Sequence, residues 1–328
     1  MSNIVIQADS NFHNIAGKEL HTDGAYAEYR RKWKEWPENF HVGEFPLFID
    51  VEVTSGCNLK CPFCVHTHKR GDIRDGLMRF ETFKRLIDEG VENELYGVKF
   101  NIRGEPCVHP DIAKFVAYAK SNGLKDVYFN TNAMLLTEGL SRELIDAELD
   151  RISVSFEGYS KKVYESYRVG ADFDTVVKNI ETLQKLKKAR GVEYPKVRVQ
   201  MVRLPELEGE VEGYRNFWAG RVEEVAFIDY QEMSAKKKGI EYPWACPQLW
   251  QRMAIFWNGI ILPCNHDFDA LNSLGNVTTV SIKKAWHSAE LNNMRKIHRT
   301  GCAHRISACD GCYLRDSEIL KLTTESAR

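Results

Sequence analysis

The sequence predicts an α/β fold built on a parallel sheet, and three observations carry that reading. Six apolar, β-rich runs alternate with stretches of helical period. Several helical stretches stop at a glycine, as a helix C-cap does: Gly123, Gly191 and Gly220. Near Asp229 the alternation gives way to a polar stretch and then a hairpin pattern, which marks a second, smaller module.

In chain order, residues 1–44 carry aromatic and charged residues ("YAEYRRKWKEW") without long periodicity, an N-terminal segment expected to pack on the outside of the main domain. The strand runs of the main domain, 45–230, are "FPLFIDVEV", "YGVKFNI", "KDVYFNT", "DRISVSF", "PKVRVQMV" and "VEEVAFI". Between them fall "RFETFKRLIDEGV", "HPDIAKFVAYAKSNG", "TEGLSRELIDAEL", "DFDTVVKNIETLQKLKKARG" and "EVEGYRNFWAG". Strand–helix–strand units imply right-handed crossovers and collect functional groups at the C-terminal ends of the strands. Residues 231–328 open with a linker, continue in "RMAIFWNGIILPC", where Asn258-Gly259 predicts a type I′ hairpin, run as helix from about Ser281 to Arg299, and close on "CDGC".

Composition narrows the function. A net charge of −1 gives no electrostatic case for nucleic acid or an anionic membrane. No apolar stretch approaches the roughly 20 residues that span a bilayer. The first residues lack the basic and apolar regions of a signal peptide, so the cytoplasm is expected. Nine cysteines, an odd number, then read as metal or cluster ligands in preference to a disulfide framework.

Cys57, Cys61 and Cys64 lie in one loop after the first strand. Three thiolates can wrap a cubane iron–sulfur cluster from one side and leave its fourth iron open for a substrate or cofactor. The alternative is zinc, with His66 or His68 as fourth ligand.

Cys-x3-Cys-x2-Cys with Phe63 before the last cysteine resembles the signature of the radical S-adenosylmethionine (SAM) superfamily, and further motifs follow in order. "NIRGEP" is similar to that family's Gly-Gly-Glu segment, with Arg103 in place of the first glycine. "NTNA" resembles Thr-Asn-Gly, and "SVSFEG" resembles Ser-x-Asp-Gly with Glu157 for Asp. The resemblance implies a partial (β/α)6 barrel, a [4Fe–4S] cluster on the three cysteines, and SAM chelated to the open iron. In the family SAM is cleaved reductively, and the resulting 5′-deoxyadenosyl radical takes hydrogen from a substrate. It further implies that Gly104 and Glu105 meet the methionine amino group, that Ser155 and Arg168 serve the ribose and carboxylate, and that Phe63 lies near the adenine, with Asn132 of "NTNA" also on the cofactor side. An external electron donor such as flavodoxin or ferredoxin is the expected partner.

Cys246, Gly259, Cys264, Cys309 and Cys312 form a second constellation, a four-thiolate site open to zinc or a complete cluster. Its opening resembles the SPASM domain, and the lack of cysteines beyond Cys312 resembles that domain's shortened "twitch" form, which implies one fully ligated auxiliary [4Fe–4S] cluster suited to electron transfer. Cys302 could replace a ligand, return a hydrogen atom to a substrate radical, or be a buried thiol; Cys107 calls for the same reading. Arg203 and Asp229, at strand ends, are the candidates for handling a substrate proton. The expected reaction is dehydrogenation or epimerisation at a hydroxyl-bearing carbon of a sugar or aminocyclitol. The alternative is maturation of a ribosomally made peptide, against which stands the shortness of the segment before the first strand.

Overall fold

In a computed structural model, residues 14–15, 18–19, 23–68, 73–229 and 239–325 are described. Each of the six expected runs contains a strand: β1 (Phe48–Val51), β2 (Gly97–Lys99), β3 (Asp126–Thr131), β4 (Arg151–Ser155), β5 (Lys196–Arg203) and β6 (Glu224–Asp229). All pair in parallel with their sequence neighbours. On the far side of β1 the sheet continues into β7 (Arg252–Ile255), parallel to β1, and β8 (Ile261–Leu262), antiparallel to β7. The strand order is therefore β8-β7-β1-β2-β3-β4-β5-β6. The C-terminal residues are thus joined to the barrel strands by main-chain hydrogen bonds, with Phe48 facing Gly97 on one side and Arg252 on the other.

Period-2 alternation gives this sheet two unlike faces. Ile49, Val98, Val127, Ile152 and Val197 are fully buried in one apolar cluster with the helices. The other face carries the register row Asp50, Lys99, Tyr128, Arg151. Its buried charges are paired: Lys99 with Asp50 at 3.3 Å, Arg252 with Asp50 at 3.3 Å, and Arg151 with Asp126 at 2.9 Å. Ion pairing is what makes charge tolerable at this depth.

Helix α1 (Gly24–Glu38), capped by Asp23, lies where the strands begin. It buries Tyr26, Tyr29 and Trp33 in a cluster with Phe48, Tyr96 and Tyr128. That closes the end of the barrel opposite the cysteine loop. The helices between strands are α2 (Phe80–Glu92), α3 (Ile112–Ser121), α4 (Glu138–Asp146), α5 (Lys161–Tyr167), α6 (Phe173–Arg190) and α7 (Val211–Trp218). α6 starts on the side chain of Asp172 and ends at Gly191, whose φ of 65° is the left-handed conformation that glycine adopts freely. α5 adds a helix not expected between β4 and β5, and its C-cap is Arg168.

Two expectations for the C-terminal residues change. The hairpin forms, but Gly259 N–H donates to Phe256 C=O, so the central residues of the turn are Trp257 and Asn258, neither with positive φ, and Gly259 follows them at φ 87°. That is a type I turn followed by a left-handed glycine, whereas type I′ needs positive φ at both residues. The run from Ser281 to Arg299 is two helices, α8 (Ile282–Trp286) and α9 (Ala289–Arg299), because Ser288 caps a second start. Tyr313–Glu325 forms α10. Much of the expected linker, 230–238, lies outside the described residues.

Candidate active site: two cysteine sets facing one cavity

The loop after β1 carries Cys57, Cys61 and Cys64 and ends in the helical turn Val65–His68. It is held by its own backbone and by neighbouring loops. Cys64 N–H donates to Cys61 C=O at 3.1 Å, and Lys60 N–H to Val169 C=O at 2.9 Å. Burial pushes the Cys57 thiol up to about 12, and raises Cys61 against the pull of Arg168. Such thiols ionise when a metal takes the proton's place. His66, one of the two candidate fourth zinc ligands, turns its Nε2 to Ser55 C=O at 2.8 Å.

The "RGEP" segment docks directly on this loop. Glu105 N–H donates to Gly56 C=O at 2.9 Å. A Cβ on Gly104 would stand 2.2 Å from Thr54 O, so only glycine allows the approach. The Glu105 carboxylate is buried and accepts from Thr131 Oγ1 (2.5 Å), Asn132 N (2.7 Å) and Cys107 N (3.1 Å). It ties the end of β3 to the loop after β2. Asn132 reaches on to the cysteine loop through Asn58 at 2.8 Å. Arg103, the departure from the family pattern, forks onto Glu52 and donates to Phe268 C=O at 2.9 Å, so it links β1 to the C-terminal residues.

Arg168 is no solvated helix-end charge. Its Nη2 donates to Glu157 at 2.8 Å, its Nε also engages that carboxylate, and its Nη1 points at Cys61 Sγ, 3.6 Å away. It also lies 5.3 Å from the centre of the Phe63 ring. Ser155 ends β4 in register with Gln200 of β5. Gln200 Oε1 is a buried acceptor with no hydrogen-bond partner among the described residues, as is Asn130 Oδ1 on β3. No motif marked these two; their signal is only their place at strand ends on the polar face.

Cys246, Cys264, Cys309 and Cys312 line one pocket, with His298 and Arg315 among its other walls. Burial pushes the Cys246 thiol up to about 12 and raises the other three, and Cys246, Cys264 and Cys309 each also feel the charge of Cys312. Arg315 is 2% exposed, and its Nε and Nη1 have no hydrogen-bond partner among the described residues. A buried guanidinium beside four thiols fits an anionic cluster. Sequence reasoning missed both His298 and Arg315, which belong to no motif.

A cavity of about 970 Å³ opens between the two cysteine sets, from Phe63 on one side to Cys312 on the other. Tyr313 forms part of its wall and feels the charge of Cys64 as well as that of Cys312 and Cys264. Of the remaining candidates, Arg203 and Cys302 do not line this cavity. Arg203 pairs on the surface with Glu208 at 2.8 Å, and Asp229 ends β6 with its side chain outside the described residues. Cys302 lines neither pocket and sits 3.6 Å from Thr300 C=O. Cys107 is buried 3.5 Å from Thr131 Oγ1, its thiol held protonated by burial and by Glu105.

A family model for the radical SAM superfamily matches residues 51–212, so the chain belongs to that superfamily. Within it, the chain carries a SPASM iron–sulfur cluster-binding domain, matched over 246–313. Its cofactors are accordingly SAM, a [4Fe–4S] cluster in the radical SAM domain, and iron–sulfur ligation in the SPASM domain. The fold is shared with BtrN in complex with AdoMet and 2-DOIA (TM-score 0.53, 20% identity, 81% of this chain and 91% of that one). It is shared as well with Streptococcus suis SuiB bound to the precursor peptide SuiA (TM-score 0.62, 16% identity, 89% and 77%). A probable GTP 3′,8-cyclase of Methanococcus maripaludis is 30% identical over 131 residues, 40% of this chain. The match spans 43% of that relative's length. No helix among the described residues is long and apolar enough to cross a membrane.

Proposed function

We propose that the protein oxidises or epimerises a hydroxyl-bearing carbon of a small polar molecule, such as a sugar or aminocyclitol, in the cavity between its two cysteine sets. The observation that carries this reading is the cavity itself: about 970 Å³, within the range of small-ligand sites, with Phe63 at one end and Cys312 at the other. SAM and the core cluster, when bound, supply a 5′-deoxyadenosyl radical that removes one hydrogen atom from the substrate. For oxidation, the hydroxyl proton goes to a carboxylate of the cavity wall, Glu206, Asp269 or Asp310, or to Asp229 at the end of β6. The remaining electron leaves through the wall that holds Tyr313 and Cys312. One hydrogen atom, one proton and one electron together turn the carbinol into a ketone. Arg168, held by Glu157, would orient the SAM carboxylate, and Gly104 with the strand ends at Asn132 and Ser155 would hold the rest of the cofactor. Flavodoxin or ferredoxin is the class of external donor that fits the reductive step.

The test is 5′-deoxyadenosine formation by reduced, reconstituted protein offered deuterated amino sugars, aminocyclitols, GTP and short peptides. Deuterium moving from a carbinol carbon into 5′-deoxyadenosine is the expected result. Turnover only with a peptide would favour the maturase reading, which the shared fold with peptide-bound SuiB motivates.

A further inference from the structure

His298 is fully buried in α9 and touches two of the four C-terminal cysteines with its two ring nitrogens. Cys246 N–H donates to Nδ1 at 3.1 Å. A backbone N–H can only donate, so Nδ1 is the acceptor and the ring proton of the neutral imidazole sits on Nε2. Nε2 stands 3.4 Å from Cys309 Sγ. The tautomer is therefore set by the backbone of one cysteine so that the ring donates to the thiolate of another. On the same pocket, the Arg315 guanidinium donates from Nη2 to Ile240 C=O at 2.5 Å, while Nε and Nη1 have no hydrogen-bond partner among the described residues. Nη1 forms a long ion pair with Asp316 Oδ1 at 4.0 Å.

We propose that His298 is a positioning residue for the auxiliary cluster. Together with Arg315, it holds that cluster at a higher reduction potential than four thiolates alone would give, which makes it an electron acceptor. An N–H directed at a ligand sulfur withdraws charge from it, and a buried cation stabilises the extra electron of the reduced state. Both effects act in the same direction, and low local polarity strengthens them. The inference rests on the reading that the four cysteines hold a redox-active cluster.

The experiment is an EPR-monitored redox titration of the reconstituted full chain against His298→Phe and Arg315→Met, with iron and sulfide measured on each sample. The expected result is a more negative midpoint for the auxiliary cluster in both variants, a core-cluster midpoint that stays put, and wild-type iron content. An unchanged auxiliary midpoint at full iron content overturns the inference and leaves the functional reading standing. Zinc in place of the second cluster in the wild type overturns both. Should a variant lose its cluster, the wild type still decides. With isotope-labelled histidine, its reduced auxiliary cluster is expected to show a nitrogen coupling and an exchangeable proton that fades in deuterated buffer. Absence of both overturns the inference.

Discussion

Arg103 and Glu52 form a two-pronged ion pair, Nε to Oε2 at 2.6 Å and Nη2 to Oε1 at 2.8 Å, with the carboxylate wholly buried. The same guanidinium holds Phe268 C=O and lies 3.6 Å from the centre of the Phe256 ring. A position where the family pattern has glycine has become the clamp between β1 and the C-terminal residues. Arg103→Met strands a buried carboxylate whose pKa burial already raises. The expected loss is about 3–5 kcal/mol of stability. Chemical denaturation of Arg103→Met and of the double variant with Glu52→Gln checks it; the double variant is expected to recover part of the loss, and equal losses would deny the pairing.

Arg168 joins Glu157 to Cys61. Arg168→Met is expected to lower the core-cluster midpoint potential and weaken SAM binding by at least about tenfold, the equivalent of one charge-assisted hydrogen bond. Iron content is expected to hold. Equilibrium binding of SAM and a redox titration read the two effects separately.

His109 supplies a pH dependence. Its Nδ1 accepts from Asp111 N–H at 3.1 Å and its Nε2 donates to Met78 C=O at 3.0 Å, so the neutral ring is the bonded form. Burial lowers its pKa from the usual value near 6.5. The unfolded chain then takes up the proton first, so this stabilisation is present above about pH 6.5 and is lost as pH falls through the lower folded value. Denaturation midpoints of the wild type are expected to drop between about pH 7 and 5, with His109→Gln flattening that part of the curve. Parallel curves would remove His109 from the account.

Cys302 and Arg203 line neither pocket, and Arg203 pairs on the surface with Glu208. Cys302→Ala and Arg203→Ala are each expected to keep wild-type iron and to form 5′-deoxyadenosine within about twofold of wild type, as surface changes do. Loss of about half the iron in Cys302→Ala would make it a ligand.

The strands and the cysteine loops were legible because each leaves a local trace: a run of β-formers, a spacing, a glycine at a close approach such as Gly104. The polar face of the sheet was not, because alternation separates Asp50, Lys99 and Arg151 from their apolar neighbours without saying what covers them. α1 packs against Phe48, Tyr96 and Tyr128 at one end of that face, and its aromatic run gave no sign of which surface it buries. His298 and Arg315 were invisible for another reason. They meet the cysteines only once α9 and α10 have packed, and a histidine or arginine on a helix carries no spacing of its own.

The most direct test of two cluster sites flanking one cavity is iron, sulfide and zinc per chain after anaerobic reconstitution. The account predicts about eight irons with matching sulfide and negligible zinc, falling to about four when Cys246, Cys264, Cys309 and Cys312 are replaced together by Ala. About four irons and one zinc in the wild type would contradict it, since the C-terminal site would then be structural and could take no electron from the cavity.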